Sequence, residues 1–441
     1  MRSRRLGLLL LMISSTLFIF ACSKEENSNS TEATVSTAPT QVPTVAGTAE
    51  TSTDTTTNTT TVVPTTAEAN VNLPQPSTNY ITDDMYKNAL LNEGNLARLA
   101  ATMKKARNGE EITVGVIGGS ITQGSLASNP EKCYASLFFK WWQTAFPNTK
   151  INFVNAGVGG TTSYLGVHRV DTDLLSHHPD VVVVEFSVND SNTLFYKETY
   201  EDLVRRILEQ ENMPAVVQLM MTMEDGTSAQ TQHLLVGFKY NLPRISYGNM
   251  VMKEIANGTF TWDDISPDNI HPNDRGHAMV GEILWRYLNS VYAKLDIITE
   301  EPAPFDVEPF FKEAYIDATI LDNTNIEPTS YGSFEKVKVF DRFPNDWATT
   351  TGVESIVFEV EAQNIGIMYY KSVDGKHGQY DVYIDGQFAW KLDSNFAGGW
   401  GNYADTVEVF RSDEKKKHTI EIKKSDDSTG DLFAVLGLLI S

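Results

Sequence analysis

Apolar residues gather in short unbroken runs through the middle of the chain: "EITVGVIGG" (Glu111–Gly119), "INFVNAGV" (Ile151–Val158), "DVVVVEFS" (Asp180–Ser187) and "AVVQLMM" (Ala215–Met221). Runs this short and this continuously apolar read as strands buried on both faces. Other stretches carry apolar residues at helical spacing. "YASLFFKWWQTAF" follows the first strand, "YEDLVRRILEQ" the third, and "GHAMVGEILWRYLNSVYAKL" (Gly276–Leu295) closes the series. Strand and helix in alternation predict a parallel sheet with helices on both faces, a three-layer α/β/α domain over residues 80–300. Ligands of such folds bind at the carboxyl ends of the strands. Gly119-Ser120, Gly159-Gly160 and Ser187–Asn189 each stand just past a predicted strand, so three polar motifs are expected along one edge.

Beyond "EEPAPF" (Glu300–Phe305) the period changes to two. "SIVFEVEA", "IGIMYYKS", "QYDVYIDGQFAW", "DTVEVF" and "HTIEIKK" alternate apolar with polar residues and are separated by Gly, Asp and Ser. Residues 301–441 are therefore predicted to be a β-sandwich.

The N-terminal part has neither pattern. Residues 23–79 are rich in Thr, Ser, Ala, Pro and Glu, as in "TSTDTTTNTTTVVPTT". They lack the apolar content to offset ordering entropy and read as a disordered tether with an end-to-end distance of roughly 40 Å. Ahead of it, arginines precede an apolar run that ends in "IFAC", Ile19 to Cys22. Residues 1–22 read as a signal peptide. The small residue before Cys22 resembles a bacterial lipobox, which implies lipidation of Cys22 and anchoring on the outer face of the cell membrane.

Charge narrows the partners. The formal net charge of the 441-residue chain is -22. That excludes a phosphate-neutralising nucleic-acid groove and electrostatic docking on anionic lipid. Neither a Walker pattern nor GxSxG occurs in the sequence, so neither a phosphate loop nor the α/β-hydrolase nucleophile elbow is the template. No His, Cys and Asp cluster has metal-ligand spacing, and no cofactor is implied. Cys133, on an apolar stretch, reads as a core thiol.

A serine nucleophile needs a base, a carboxylate to orient it, and oxyanion donors. Among the histidines, His271 in "SPDNIHPNDRGH" is distinctive. Asp268 precedes it by three residues, and Pro267 and Pro272 flank the pair, which disfavours helix. A surface turn with an incidental ion pair would look the same from the sequence.

The ordered set "GGSITQG", "NAGVGGTTS", "SVND" and "DNIHPN" resembles the SGNH (GDSL-type) hydrolase superfamily. The resemblance implies a flavodoxin-like sheet and a set of roles. Ser120 would be the nucleophile, Asp268 and His271 its partners. Ser120 N–H, Gly160 N–H and the Asn189 amide would form the oxyanion hole, with Gly159 the neighbouring alternative to Gly160. Two positions depart from the family pattern: Gly119 stands where the family has Asp, and Ser187 where it has Gly. Arg169 and Glu185 read as structural, Glu185 needing a cationic partner, and Asp190 as a brace for its own loop.

Proteins that pair such a domain with a β-sandwich resemble bacterial carbohydrate O-acetylesterases. "WKLDSNFAGGWGNYAD" offers Trp390, Trp400 and Tyr403 as stacking surfaces for sugar rings, although aromatics also fill cores. The expected activity is removal of O-acetyl groups from a glycan. A lipase or thioesterase of the same superfamily, or a non-catalytic glycan-binding lipoprotein, are the alternatives.

Overall fold

The computed structural model describes residues 73–441. The expected signal peptide, Cys22 and most of the expected tether lie outside the described residues. Residues at the end of that tether already run along the domain: Asn289 Nδ2 donates to the Pro74 carbonyl at 2.9 Å.

The first helices and strands are α1 (Asp83–Ala89), β1 (Leu90–Asn92), α2 (Ala97–Arg107), β2 (Ile112–Gly118), α3 (Ser120–Gln123), α4 (Tyr134–Ala145) and β3 (Ile151–Gly157). They are followed by α5 (Ser163–Asp173), β4 (Val181–Glu185), α6 (Leu194–Leu208), β5 (Ala215–Met220), α7 (Gln230–Lys239), β6 (Arg244–Ser246), α8 (Tyr247–Ala256) and α9 (Asp274–Ala293). The sheet order is β1-β6-β5-β4-β2-β3. All neighbours are parallel except β1 with β6. In β2, β4 and β5 the unbroken apolar runs follow from burial on both faces, whereas β3, expected to be equally buried, lies at the sheet edge and is mostly half-buried. Val181 and Val183 enter one core with α4 and α9, while Val182 and Val184 enter a second core with α5 and α6.

The chain passes from β2 to β3 on one side of β2, then crosses to β4 on the other. This reversal puts a crevice at the carboxyl ends of β2 and β4, where open α/β sheets bind ligands. Register levels the strand ends: Gly118 pairs with Gly157 on one side and with Glu185 on the other.

The C-terminal part is antiparallel β: β7 (Thr319–Leu321), β8 (Glu335–Val337), β9 (Asp346–Thr349), β10 (Ile356–Lys371), β11 (Gln379–Ile384), β12 (Gln387–Asp393), β13 (Tyr403–Lys424) and β14 (Phe433–Ile440). They form one hydrogen-bonded path, β12-β11-β13-β10-β14-β9-β8, with β7 beside β14. The long strands β10 and β13 shift register near Asn364 and so serve both halves of the sheet. Ile356, Phe358, Val360 and Ala362 from one half of β10, and Ile365, Ile367 and Tyr369 from the other, line one core.

The opposite side chains of β10, Met368 and Tyr370, join Leu436 and Leu439 in the α5–α6 core. This domain therefore packs directly on the α/β domain. Buried acids of α6 complete the seam. Glu201 accepts from the Phe310 and Phe311 N–H groups, and Asp202 from that of Tyr315.

Candidate functional site

Ser120 begins α3, directly after β2. Its Oγ lies 2.8 Å from His271 Nε2, and His271 Nδ1 lies 2.8 Å from Asp268 Oδ2. A carboxylate only accepts, so Nδ1 carries the proton and donates it to Asp268. Nε2 is thereby left to accept the Ser120 hydroxyl proton. Residues 268–271 hold themselves in place: the Ile270 and His271 N–H groups both donate to Asp268 Oδ1, at 2.8 and 2.6 Å. Burial alone would raise the Asp268 carboxyl, but the hydrogen bonds from the His271 backbone and ring and from Ile270 outweigh it and hold it below the usual range. It stays ionised beside the imidazole.

The three expected oxyanion donors line one cleft of about 630 Å³ with Ser120, Asp268 and His271. The structure separates the two glycines that the sequence left as alternatives. Gly159 N–H donates to Gln123 Oε1 at 2.6 Å. Gly160 N–H has no acceptor among the described residues. Gly160 has φ +72°, and a Cβ there would stand 3.1 Å from the Trp400 ring. Both the backbone and the space require glycine. The Asn189 amide lies against Gly119, where a Cβ would approach its Oδ1 to 2.3 Å.

Around these groups lies a buried frame. Arg169 is fully buried and donates to the carbonyls of Ala156 and Gly118, at the ends of β3 and β2. Asp190 accepts from Ser163 N–H at 2.9 Å and lies 3.0 Å from His233 Nε2, fixing the β4 loop to α5 and α7. Glu185 departs from expectation. It has no cationic partner among the described residues. It accepts instead from Ser187 N–H and Oγ, at 3.1 and 3.2 Å, and from Thr122 Oγ at 3.4 Å. Burial raises its carboxyl to about 7, so it takes up a proton far more readily than a free carboxyl, which lessens the need for a counter-ion. Ser187 is the departure from the usual glycine, and its hydroxyl serves this carboxyl. Cys133 is a buried free thiol at the N-cap position of α4, where its side chain makes no capping hydrogen bond.

One wall of the cleft comes from the β domain: Phe340, Arg342, Trp400, Asn402 and Tyr403. Trp400 stacks on Tyr403 with centroids 4.8 Å apart, and Phe396 packs edge-on against both. Two of the three expected stacking residues thus reach the site. Trp390 does not. It is half-exposed on β12, the end strand of the other sheet, opposite Val382 and outside the cleft lining. Gln123, Phe340, Arg342 and Asn402 escaped the sequence reading. Gln123 had a signal, being three residues past Ser120 in the first motif, and Asn402 lies within the aromatic stretch that ends in Tyr403; Phe340 and Arg342 had none.

Residues 116–279 match the model of the GDSL-like lipase/acylhydrolase family. The chain is 34% identical to a two-domain esterase (CEX) active on acetylated mannans, over 81% of this chain and 98% of that one, with a TM-score of 0.76. The chain belongs to the GDSL-like lipase/acylhydrolase family. A second structure of the two-domain esterase, co-crystallised with mannopentaose, matches this GDSL-type chain at 34% identity over 81% of it and 97% of the other, with a TM-score of 0.75. The thioesterase 1/protease 1/lysophospholipase L1 of Escherichia coli K12 is 32% identical over 97 residues. That match spans 22% of this chain and 44% of the curated relative's length.

Proposed function

We propose that the protein is a serine esterase that removes O-acetyl groups from a mannan-type glycan, with Ser120 as nucleophile. The observation that carries this reading is the Ser120–His271–Asp268 hydrogen-bond chain opening into a cleft whose far wall is the Trp400–Tyr403 stack. A lipase has no need of that wall, whereas a sugar ring stacks on it. The likeness to the esterase active on acetylated mannans supports the acyl group and the polymer.

In the reaction, Ser120 Oγ attacks the acetyl carbonyl carbon while His271 Nε2 takes its proton. Asp268 stabilises the resulting imidazolium. The oxyanion accepts from Ser120 N–H, Gly160 N–H and Asn189 Nδ2, each such donor contributing about 3–4 kcal/mol to the barrier lowering. His271 then protonates the departing sugar oxygen, leaving acetyl-Ser120. Water attacks this ester, gives its proton to His271 and releases acetate, and Ser120 regains its proton.

Residues 1–22 and Cys22 fit a lipoprotein signal, and the same proposal places the enzyme on the outer face of a bacterial membrane, held by a lipid at Cys22. Loss of membrane retention in Cys22→Ala checks the anchor.

Acetate release from acetylated glucomannan, compared with acetylated xylan and with aryl esters of increasing acyl length, tests the activity. Turnover of the mannan with preference for acetyl is expected. Preference for acyl chains of about eight carbons or more, or no turnover of any ester, overturns it.

A further inference from the structure

Arg342 lines the cleft at Ser120, and the same residue lines a second groove of about 610 Å³ beside it. The floor of this groove is β3, the last strand of the six-stranded sheet, whose outer edge has no partner strand among the described residues. Its walls are Thr172 and Asp173 at the end of α5, with His177 beyond.

Arg342 is held where the two depressions meet. It pairs with Asp173, only 12% exposed, which also binds the fully buried Arg169 at 2.8 Å. That anchor uses one edge of the guanidinium. The remaining N–H groups have no acceptor among the described residues and the side chain is 41% exposed. Asn152 gives its Nδ2 to Glu111 and leaves Oδ1 as a free acceptor. The His177 ring and the open edge of β3 add further polar groups. The groove thus offers donors and acceptors together and no unpaired cluster of one charge. Hydroxyl groups both donate and accept, so this lining suits a neutral polyol. It does not suit a phosphate chain, which needs several free cations.

We propose that the β3 groove is a second carbohydrate subsite that holds sugar units of the glycan flanking the one at Ser120. A polymer acetylated at an internal sugar has to leave the cleft, and Arg342 stands where the cleft and this polar groove adjoin. The inference rests on the glycan reading of the cleft.

The test uses Asn152→Ala/His177→Ala, which touches the groove and not the cleft. KM is measured on acetylated glucomannan and on 4-nitrophenyl acetate. Loss of two hydrogen-bonding side chains is expected to raise KM for the polymer about five- to tenfold and to leave the aryl ester within about twofold. An unchanged KM for the polymer overturns the subsite while leaving the esterase reading intact. Failure of the wild type to deacetylate any glycan, with 4-nitrophenyl acetate still hydrolysed, overturns the glycan reading and the subsite together. A measurement independent of the double variant is binding of unacetylated manno-oligosaccharides to Ser120→Ala. Affinity that rises from the disaccharide to the hexasaccharide is expected, and affinity that stops rising at the disaccharide overturns the proposal.

Discussion

Asn189 rests against the bare α-carbon of Gly119, so closely that a methyl group there would stand 2.3 Å from its Oδ1. The departure from the family pattern at residue 119 thus has a steric meaning in this chain. The Asn189 amide is seated by the missing side chain before Ser120, and under the proposed function its Nδ2 is an oxyanion donor. Gly119→Ala is expected to displace the amide and to lower kcat toward the level of Asn189→Ala. For Asn189→Ala the fall is roughly 10²–10³-fold with little change in KM, because the donor matters most once charge develops on the oxygen. Steady-state kinetics on 4-nitrophenyl acetate check both. Wild-type kcat in Gly119→Ala would refute the seating argument.

The Ser120–His271–Asp268 chain makes an ordered prediction. Ser120→Ala and His271→Ala should each lower kcat by roughly 10⁶-fold, and Asp268→Asn by roughly 10⁴-fold. His277 supplies the contrast. Its Nδ1 accepts from Tyr134 N–H at 3.3 Å and its Nε2 lies 3.1 Å from the Ser125 carbonyl, so the ring spans α4 and the nucleophile loop. Burial lowers its basicity and keeps it neutral. His277→Ala should cost about 1–3 kcal/mol of stability by leaving buried groups unpaired, with kcat changed far less than in His271→Ala. Equal losses of kcat in the two variants would place the base wrongly.

The aromatic wall predicts a division between substrates. Trp400→Ala removes the stacking face beside Gly160. An aromatic stacking contact is worth about 0.5–1.5 kcal/mol beyond its area, so KM for acetylated glucomannan should rise about tenfold. The small aryl ester should respond much less. Trp390→Ala, on the far end strand, should alter neither. The outcome that counts against the wall is a Trp390→Ala effect as large as that of Trp400→Ala.

Glu185 predicts a pH dependence of stability. Burial raises its carboxyl from 4.5 to about 7 in the folded chain. The folded state therefore binds a proton more tightly than the unfolded state. The stability this contributes is fully present below about pH 4.5 and is lost as the pH rises through 7, a change on the order of 3 kcal/mol. Glu185→Gln keeps the acceptor for Ser187 and removes the titration. Its Tm should fall less than that of the wild type between pH 5 and pH 8. Parallel Tm curves for the two proteins would rule out Glu185 as the titrating group.

Much of the α/β domain was legible because its strands are buried on both faces, which leaves "DVVVVEFS" with no polar alternation to confuse. β1 and β6 were not, since three residues are too few to show a period. The helical spacing of "YEDLVRRILEQ" says nothing of what its acids will meet. In the fold Glu201 and Asp202 are buried, capping N–H groups of the segment that leads into the β domain. A helix sequence records which residues share a face; it does not record what will cover that face.

By itself the sequence determined the four long strands and the helices around them, the change to a period of two after residue 300, and the local pair Asp268 and His271. Each rests on interactions between near neighbours, which leave a period or a spacing in the chain. Only the tertiary structure decided that Ser120 meets His271 across 151 residues, that Gly160 and not Gly159 keeps a free N–H, and that Trp400 and not Trp390 reaches the cleft. These outcomes depend on how β3 and β4 flank β2 and on how β10 packs its outer face against α5 and α6. Contacts between distant segments are set by packing of whole elements, and such packing leaves no local pattern to read.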